Sequence, residues 1–266
     1  MNGFQVNGLC AGYGGKLVIN GLSFSLAGGR IMGILGANGS GKTTLIRSIC
    51  GIVRHTGECL LDGVGLEGLS ARQLAQQCSY IPQRSGIAID ISVLDVVLMG
   101  FNAQLGLLQQ PTAAMKQRAM EALEKVGIGT LASHNYLQLS EGQKQLCILA
   151  RTLVSPGSLL LMDEPESALD FHYRYHTLAL IRDWVRADER YALVALHDPM
   201  LALNFCDELL LLKDGQSLGV LHPATDSAAV MEDMLSSIYG SVTLVSCADK
   251  SGAKHLVMLR EGGGKR

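Results

Sequence analysis

The sequence lacks paired cysteines, an excess of charge of either sign and any long hydrophobic run. Its seven cysteines are scattered and include no C-x-x-C pair, so we expect reduced thiols in a cytosolic protein. Lys and Arg number 22 against 24 Asp and Glu, which gives a formal net charge of −2. This balance provides no general attraction to nucleic acid or anionic lipid, and no nucleic-acid partner is predicted.

Hydrophobic residues make up 48% of the 266 residues, but no stretch approaches the ~18 consecutive apolar residues that a membrane-spanning helix needs. The first residues, "MNGFQVNGLCAGYGG", lack a basic segment followed by an apolar core, so no secretory signal is predicted and we expect the protein to stay in the cytoplasm. There is no internal repeat. The length suits one large α/β domain or a domain with an inserted lobe.

Short apolar runs alternate with helical patterns along the chain, as an α/β fold requires. Residues 30–35, "RIMGIL", are almost continuously apolar, which is typical of a strand buried on both faces of a parallel sheet. Three later apolar runs are of the same kind, at 158–163, 191–197 and 208–215. Shorter strands are predicted earlier, at 6–11, 22–26 and 58–62. Residues 171–188, between the first two of the later runs, have apolar residues near helical spacing and are predicted to form a helix.

The middle and the end of the chain differ from this pattern. Residues 88–150 are mostly helical, with one helix expected to start at Pro111 and end at Gly127, which predicts a helical lobe inserted in the sheet domain. In the last part we expect a helix near 225–238, a strand pair at 242–247 and 254–259, and a disordered tail, "EGGGKR".

The stretch "GANGSGKTT", residues 36–44, matches the pattern G-x-x-x-x-G-K-[ST] in full, between a predicted strand and a predicted helix. Glycine lets the chain curl so that backbone N–H groups point at a phosphate, and the helix that starts near Lys42 adds its free N–H groups. Lys42 is expected to reach the β- and γ-phosphates and Thr43 to bind Mg²⁺. The expected nucleotide-binding residues of this loop are Gly36, Ala37, Asn38, Gly39, Ser40, Gly41, Lys42, Thr43 and Thr44.

Two carboxylates follow the apolar run at 159–162, in the sequence "LLLMDE". At the end of a buried strand, Asp163 can hold Mg²⁺ through water, and Glu164 can orient or deprotonate the water that attacks the γ-phosphate. Together with the phosphate-binding loop they predict hydrolysis of a nucleoside triphosphate.

The stretch "LQLSEGQKQLCILAR", residues 137–151, resembles the LSGGQ signature of ATP-binding cassette (ABC) ATPases. Other motifs of this family stand in the same order over residues 3–220. Tyr13 in "AGYGG" is similar to the aromatic residue that stacks on adenine, and Gln83 in "YIPQ" to the glutamine that joins the metal site to the helical lobe. "SALD", residues 167–170, is similar to the D-loop, and His197 in "ALHD" to the switch histidine that contacts the γ-phosphate.

The resemblance implies a P-loop NTPase cassette with a mixed-sheet core, an antiparallel β subdomain and an inserted helical lobe. The core would comprise residues 1–87 and 151–222, the signature lobe 88–150, and a C-terminal extension 223–266. The resemblance further implies that Glu164, His197 and Gln83 are catalytic, that Thr43, Gln83 and Asp163 bind the metal, and that ATP and Mg²⁺ are required. Tyr13, Ser140, Gly142, Gln143 and Asp170 would complete nucleotide binding.

In the family, the signature binds the γ-phosphate of ATP held by a second copy, so the resemblance implies a homodimer with two ATP molecules between the subunits. Two positions depart from the family pattern. Glu141 stands where the signature usually has glycine, and we expect its carboxylate to face away from the phosphate. Glu166 in "DEPESALD" adds a negative charge near the catalytic carboxylates.

A free-standing single cassette fits the ATPase subunit of an importer at the cytoplasmic face of the membrane, with a polytopic permease and, indirectly, a substrate-binding protein as partners. The segment "ISVLDVVLMGFNAQLGLL" and the continuation "SALDFHYRYH" are similar to cassettes that serve iron-chelate, haem and cobalamin importers. A cassette of another transporter class and a soluble scaffold protein remain alternatives. His172 and His176 have a metal-compatible spacing, but no third ligand is evident, and a surface helix explains them equally well.

Overall fold

The computed structural model describes residues 3–83, 86–106, 108–165 and 169–260. In chain order the strands are β1 (Phe4–Tyr13), β2 (Lys16–Leu26), β3 (Arg30–Leu35), β4 (His55–Leu61), β5 (Val64–Gly65), β6 (Cys78–Ile81), β7 (Leu159–Asp163), β8 (Tyr191–Ala195), β9 (Glu208–Lys213), β10 (Gln216–Leu221), β11 (Val242–Ala248) and β12 (Lys254–Arg260). The α-helices are α1 (Lys42–Ile49), α2 (Ala71–Gln77), α3 (Val93–Leu98), α4 (Ala113–Lys125), α5 (Glu141–Leu153), α6 (Phe171–Ala187), α7 (Pro199–Phe205) and α8 (Ala228–Tyr239).

A six-stranded mixed sheet forms the centre of the fold, in the order β10-β9-β3-β8-β7-β6. Strands β6, β7, β8, β3 and β9 pair in parallel, and β10 pairs with β9 in the antiparallel direction. All five residues of β7 and all five of β8 are buried, as expected for parallel strands covered by helices on both faces. The carboxyl ends of β3 and β7 therefore meet at one edge of the sheet, which is where the predicted motifs begin.

A second, antiparallel sheet has the order β2-β1-β4-β5. Helix α1 lies between the two sheets, because its buried Leu45 and Ile46 belong to one apolar cluster with Phe4 of β1 and Met32 of β3. The fold class predicted from the sequence, with a mixed sheet, an antiparallel sheet and helices, is confirmed. Strands β5, β6 and β10 and helices α2 and α7 were not predicted.

The helical region contains α3, α4 and α5, with single 3-10 turns at Met99–Phe101, Gly129–Leu131 and Tyr136–Gln138. Helix α4 starts at Ala113, two residues after Pro111, because the Thr112 hydroxyl accepts a hydrogen bond from the Met115 N–H and caps the helix. Helix α5 runs past residue 150, and its apolar side chains share one core cluster with the mixed sheet. The division of the chain into a core, a lobe and an extension therefore stays a prediction.

The C-terminal part contains α8 and the hairpin of β11 and β12, close to the segments predicted from the sequence. The hairpin is attached to α7 through Asn204, whose side-chain amide donates to the Leu256 carbonyl at 2.9 Å and accepts from the Leu256 N–H at 2.9 Å. The tail predicted to be disordered, residues 261–266, lies outside the described residues.

Candidate nucleotide-binding site

The phosphate-binding loop connects β3 to α1 in the manner that the sequence predicts. Gly39 and Gly41 have φ angles of 81° and 106°, which side chains rarely tolerate. A Cβ atom at Gly36 would lie 2.4 Å from the Leu212 carbonyl oxygen and 2.5 Å from Ser40 Oγ. Gly41 caps α1 without a side-chain hydrogen bond, so the first N–H groups of the helix are available to an anion.

A cavity of about 530 Å³ lies over this loop. Besides residues 38–44 of the loop it is lined by Val18 of β2, by Glu164 after β7 and by His197 after β8. Val18 was not singled out from the sequence, since an isolated valine in a strand carries no chemical signal. The cavity brings the loop and two of the three predicted catalytic side chains to one place.

Lys42 is 95% buried, with a relative exposure of 5%. Its ammonium group donates to the carbonyl oxygens of Gly36 at 2.8 Å and Ala37 at 3.4 Å. The positive charge is therefore held within the phosphate-binding loop, at the start of α1. A triphosphate placed there would meet one ammonium group and several backbone donors.

The Thr43 hydroxyl donates a hydrogen bond to Asp163 Oδ1 at 2.9 Å, although the two residues lie 120 positions apart. Burial raises the pKa of the Asp163 carboxyl group; the Thr43 hydrogen bond opposes this shift, and the neighbouring Glu164 adds to it. The structure thus brings together two oxygen ligands of the kind that Mg²⁺ prefers, and a bound cation would favour the charged form of Asp163.

Glu164 adopts a left-handed backbone conformation with φ of 53°, and its N–H donates to the Ala195 carbonyl at 3.1 Å. This conformation is costly for a residue other than glycine. Gln83 Nε2 donates to Glu164 Oε2 at 2.7 Å, and His197 Nε2 lies 2.6 Å from the same oxygen. The three residues predicted to be catalytic therefore form one hydrogen-bonded group.

Tyr13 ends β1, is 51% exposed and does not line the cavity. Tyr80 raises the pKa of the Arg47 guanidinium group in α1, burial opposes this shift, and Tyr13 adds to the rise. Arg47 and Tyr80 were not foreseen. The one sequence signal for Arg47 is its position five residues after Lys42 on the same helix, which places it near the phosphate-binding loop.

Ser140 caps α5 in a capping box. Its hydroxyl accepts from the Gln143 N–H at 3.3 Å, and Gln143 Oε1 accepts from the Ser140 N–H at 3.0 Å. Glu141 is turned towards Lys144, with Nζ and Oε1 2.8 Å apart, and two-thirds of its side chain is exposed. Ser140, Gly142 and Gln143 do not line the cavity over the phosphate-binding loop.

Asp170 also lies away from that cavity and caps α6 by accepting from the Tyr173 N–H at 3.0 Å. The predicted D-loop reaches the described residues only at Leu169 and Asp170, because residues 166–168, including Glu166, lie outside them. His172 and His176 stack with ring centroids 6.4 Å apart, and His176 Nε2 lies 3.1 Å from the Lys125 carbonyl oxygen. In the described part of the chain these two histidines belong to no group of three metal-ligating side chains.

A glycine-rich loop between a buried strand and a helix, a carboxylate pair at the end of the neighbouring strand and a capped signature helix define a P-loop cassette ATPase. Comparison with known proteins agrees. The family model described as ABC transporter matches residues 19–167. The chain therefore belongs to the ABC transporter family, as the resemblance of its motifs implied.

Two curated relatives and one solved structure illustrate the similarity. The chain is 36% identical over 245 residues to the hemin import ATP-binding protein HmuV of Bordetella pertussis, covering 89% of this chain and 91% of that protein. It is 30% identical over 260 residues to the cobalamin import ATP-binding protein BtuD of Halobacterium salinarum, covering 94% and 65% respectively. An inward-facing ABC transporter described as metal-chelate type has a chain with a TM-score of 0.81 and 26% identity, at 98% and 99% coverage.

Among the residues that the structure describes, no helix is both long enough and apolar enough to cross a membrane.

Proposed function

We propose that the chain is the subunit of an ABC importer that binds and hydrolyses ATP. The observation that carries this proposal is the hydrogen-bonded group of Gln83, Glu164 and His197 at the cavity over the phosphate-binding loop. In this reading Lys42 and the loop N–H groups hold the phosphates, and Glu164 orients or deprotonates the attacking water. His197 contacts the γ-phosphate, and Tyr13 stacks on the adenine.

We assign the metal site to Thr43 and Asp163, with Gln83 completing it. The Thr43 and Asp163 oxygens are adjacent, and Asp163 is buried, so the donor set fits Mg²⁺. When bound, Mg²⁺ would offset the negative charge of the phosphates during phosphoryl transfer. Lys42 holds the phosphate-binding loop, and Glu164 would orient the attacking water.

We further propose that two copies associate face to face. Ser140, Gly142 and Gln143 are at the start of α5 and do not line the cavity over the loop of their own chain. The start of a helix offers N–H groups to an anion, so a second copy could present its signature to the ATP held here. The Glu141 carboxylate, paired with Lys144, would be directed away from that phosphate. Asp170 would lie at the same interface.

The cargo is proposed to belong to the haem, cobalamin or iron-chelate class, because two relatives that match most of this chain are named for hemin and cobalamin import and the similar solved transporter is described as metal-chelate type. On this proposal the dimer sits at the cytoplasmic face of the membrane against a polytopic permease, which receives cargo from a substrate-binding protein. On this proposal the cassette does not contact the cargo, so its own residues do not define the cargo. A cassette of another transporter class is therefore the alternative.

The proposal is tested in a strain that lacks this chain. Uptake of labelled hemin, cobalamin and a ferric chelate is measured after complementation with the wild type or with Glu164→Gln. Restored uptake of one of the three by the wild type alone supports the proposal. Restored uptake of none, together with a normal ATPase rate of the purified protein, would favour another transporter class.

A further inference from the structure

Three side chains with metal-ligating atoms meet in the antiparallel sheet, outside the nucleotide site. His55 and Cys59 are four residues apart in β4, so both point to the same face of the strand. The tight turn into β5 returns the chain, and the Leu66 N–H donates to the Cys59 carbonyl at 2.8 Å. The next residue, Glu67, is thereby placed beside the other two.

The ligand atoms are close enough to share one ion. His55 Nε2 lies 3.1 Å from Glu67 Oε1 and 3.8 Å from Cys59 Sγ, and all three atoms lie within 4.8 Å of one another. Tetrahedral Zn²⁺ with bonds of about 2.0–2.1 Å to nitrogen and oxygen and about 2.3 Å to sulfur separates its ligands by about 3.4 Å (N to O) and about 3.6 Å (N to S). The observed distances are within a few tenths of an ångström of these values.

The chemical types of the three side chains favour a borderline-soft divalent ion. Imidazole and thiolate are ligands for Zn²⁺ and related transition metals, whereas Mg²⁺ and Ca²⁺ prefer oxygen alone. The thiolate and the carboxylate would together neutralise a divalent charge. A thiol binds a metal ion as its thiolate, so binding would release the proton of the Cys59 thiol.

A backbone hydrogen bond orients one of the three side chains, and a cavity gives access to the group. The Cys59 N–H donates to Glu67 Oε1 at 2.6 Å, which fixes the carboxylate in its present orientation. His55 and Glu67 line a cavity of about 640 Å³ that extends to the end of α1. This cavity gives an ion access and leaves room for water as a fourth ligand.

We propose that His55, Cys59 and Glu67 form a binding site for one divalent transition-metal ion of the Zn²⁺ type. None of the three residues lines the cavity over the phosphate-binding loop, and the proposal does not depend on the proposed transport function. A bound ion would tie β4 to the segment after β5 and stabilise the antiparallel sheet.

The test uses the full-length, tag-free protein, reduced and freed of metal, without nucleotide. Co²⁺ is added as a spectroscopic probe, followed by Zn²⁺ in competition with a chromophoric chelator. We expect one Co²⁺ with a thiolate-to-metal charge-transfer band that Zn²⁺ abolishes. Cys59→Ser should lose the band, and His55→Gln should weaken Zn²⁺ binding by at least about ten-fold.

Cys50→Ser is the matched control, because Cys50 lines the same cavity but does not belong to the group. The Cys50→Ser protein should keep the Co²⁺ charge-transfer band and the wild-type affinity for Zn²⁺. Circular dichroism and ATP binding of each variant check that it is folded, and His55→Gln, at a partly exposed position, covers the case in which Cys59→Ser fails to fold. Absence of the band in the wild type, or equal bands in the wild type and Cys59→Ser, would overturn the proposal.

Discussion

Replacing Glu164 by Gln separates ATP binding from hydrolysis. Gln has the same size and keeps one carbonyl oxygen, which can still accept from Gln83 and His197, the two groups that contact Glu164 Oε2 at 2.7 and 2.6 Å. The structural cost should therefore be about that of weakening charge-assisted hydrogen bonds, ~1–2 kcal/mol. Lys42 and the loop are untouched, so the affinity for ATP should stay close to that of the wild type.

The hydrolysis rate should fall much further, because an amide cannot accept a proton from water. General base catalysis contributes roughly 10²–10⁴-fold, which at about 1.4 kcal/mol per factor of ten corresponds to ~3–5 kcal/mol of activation free energy. The assay is ADP formation by purified protein with ATP and Mg²⁺, beside a calorimetric titration with ATP. Light scattering of the variant with ATP should report a stable dimer.

Glu189→Gln is the matched control, since Glu189 also has a positive φ, of 51°, but is exposed, precedes β8 and does not line the cavity over the phosphate-binding loop. It should leave the hydrolysis rate unchanged. A Glu164→Gln protein that binds ATP and hydrolyses it at the wild-type rate would refute the assignment of Glu164 as the residue that activates water.

Three further changes test other parts of the site. Gly41→Ala would force a φ of 106° on alanine and bring its Cβ to 2.5 Å from Ile19 Cδ1, so calorimetry should detect little or no ATP binding, whereas intact affinity would contradict the argument from loop geometry. Ser140→Ala and its control Ser70→Ala each remove a capping box and should each lower the free energy of unfolding by ~1 kcal/mol. Only Ser140→Ala should slow ATP hydrolysis. Equal hydrolysis rates of the two variants would mean that Ser140 serves only as a helix cap. The pKa of Asp163 is raised in the folded protein, so folding favours its protonated form. The stability that this protonation contributes is fully present at low pH and is lost as the pH rises through the folded-state pKa of Asp163. Urea unfolding should therefore find nucleotide-free Asp163→Asn more stable than the wild type at neutral pH and not in acid, and a pH-independent difference would contradict the shift.

Much of the fold could be predicted because its signals are local. The apolar run of β3, the glycines after it and the start of α1 are contiguous, so one stretch of sequence specifies the strand, the loop and the helix. Helix α2 was missed because it has seven residues and none is buried, which leaves no apolar periodicity to detect. Strand β10 was missed for a similar reason, since it is an edge strand in which Leu221 alone is buried.

The candidate site was predictable only in part. Residues 36–44 follow from spacing and chemistry, whereas Gln83, Ser140 and His197 came from resemblance to a family. Spacing could not give the left-handed backbone of Glu164, nor the approach of Gln83 from 81 positions away. The group of His55, Cys59 and Glu67 also escaped notice, because its closeness depends on the register of β4 and β5.

The ammonium group of Lys42 ties the phosphate-binding loop together, because it donates to the carbonyl oxygens of Gly36 and Ala37 in that loop. A substitution at Lys42 would therefore have two effects. It would remove the positive charge that attracts phosphate, and it would remove the hydrogen bonds that hold the loop in its folded conformation. Differences in loop mobility between such variants should therefore be visible by hydrogen exchange even in nucleotide-free protein.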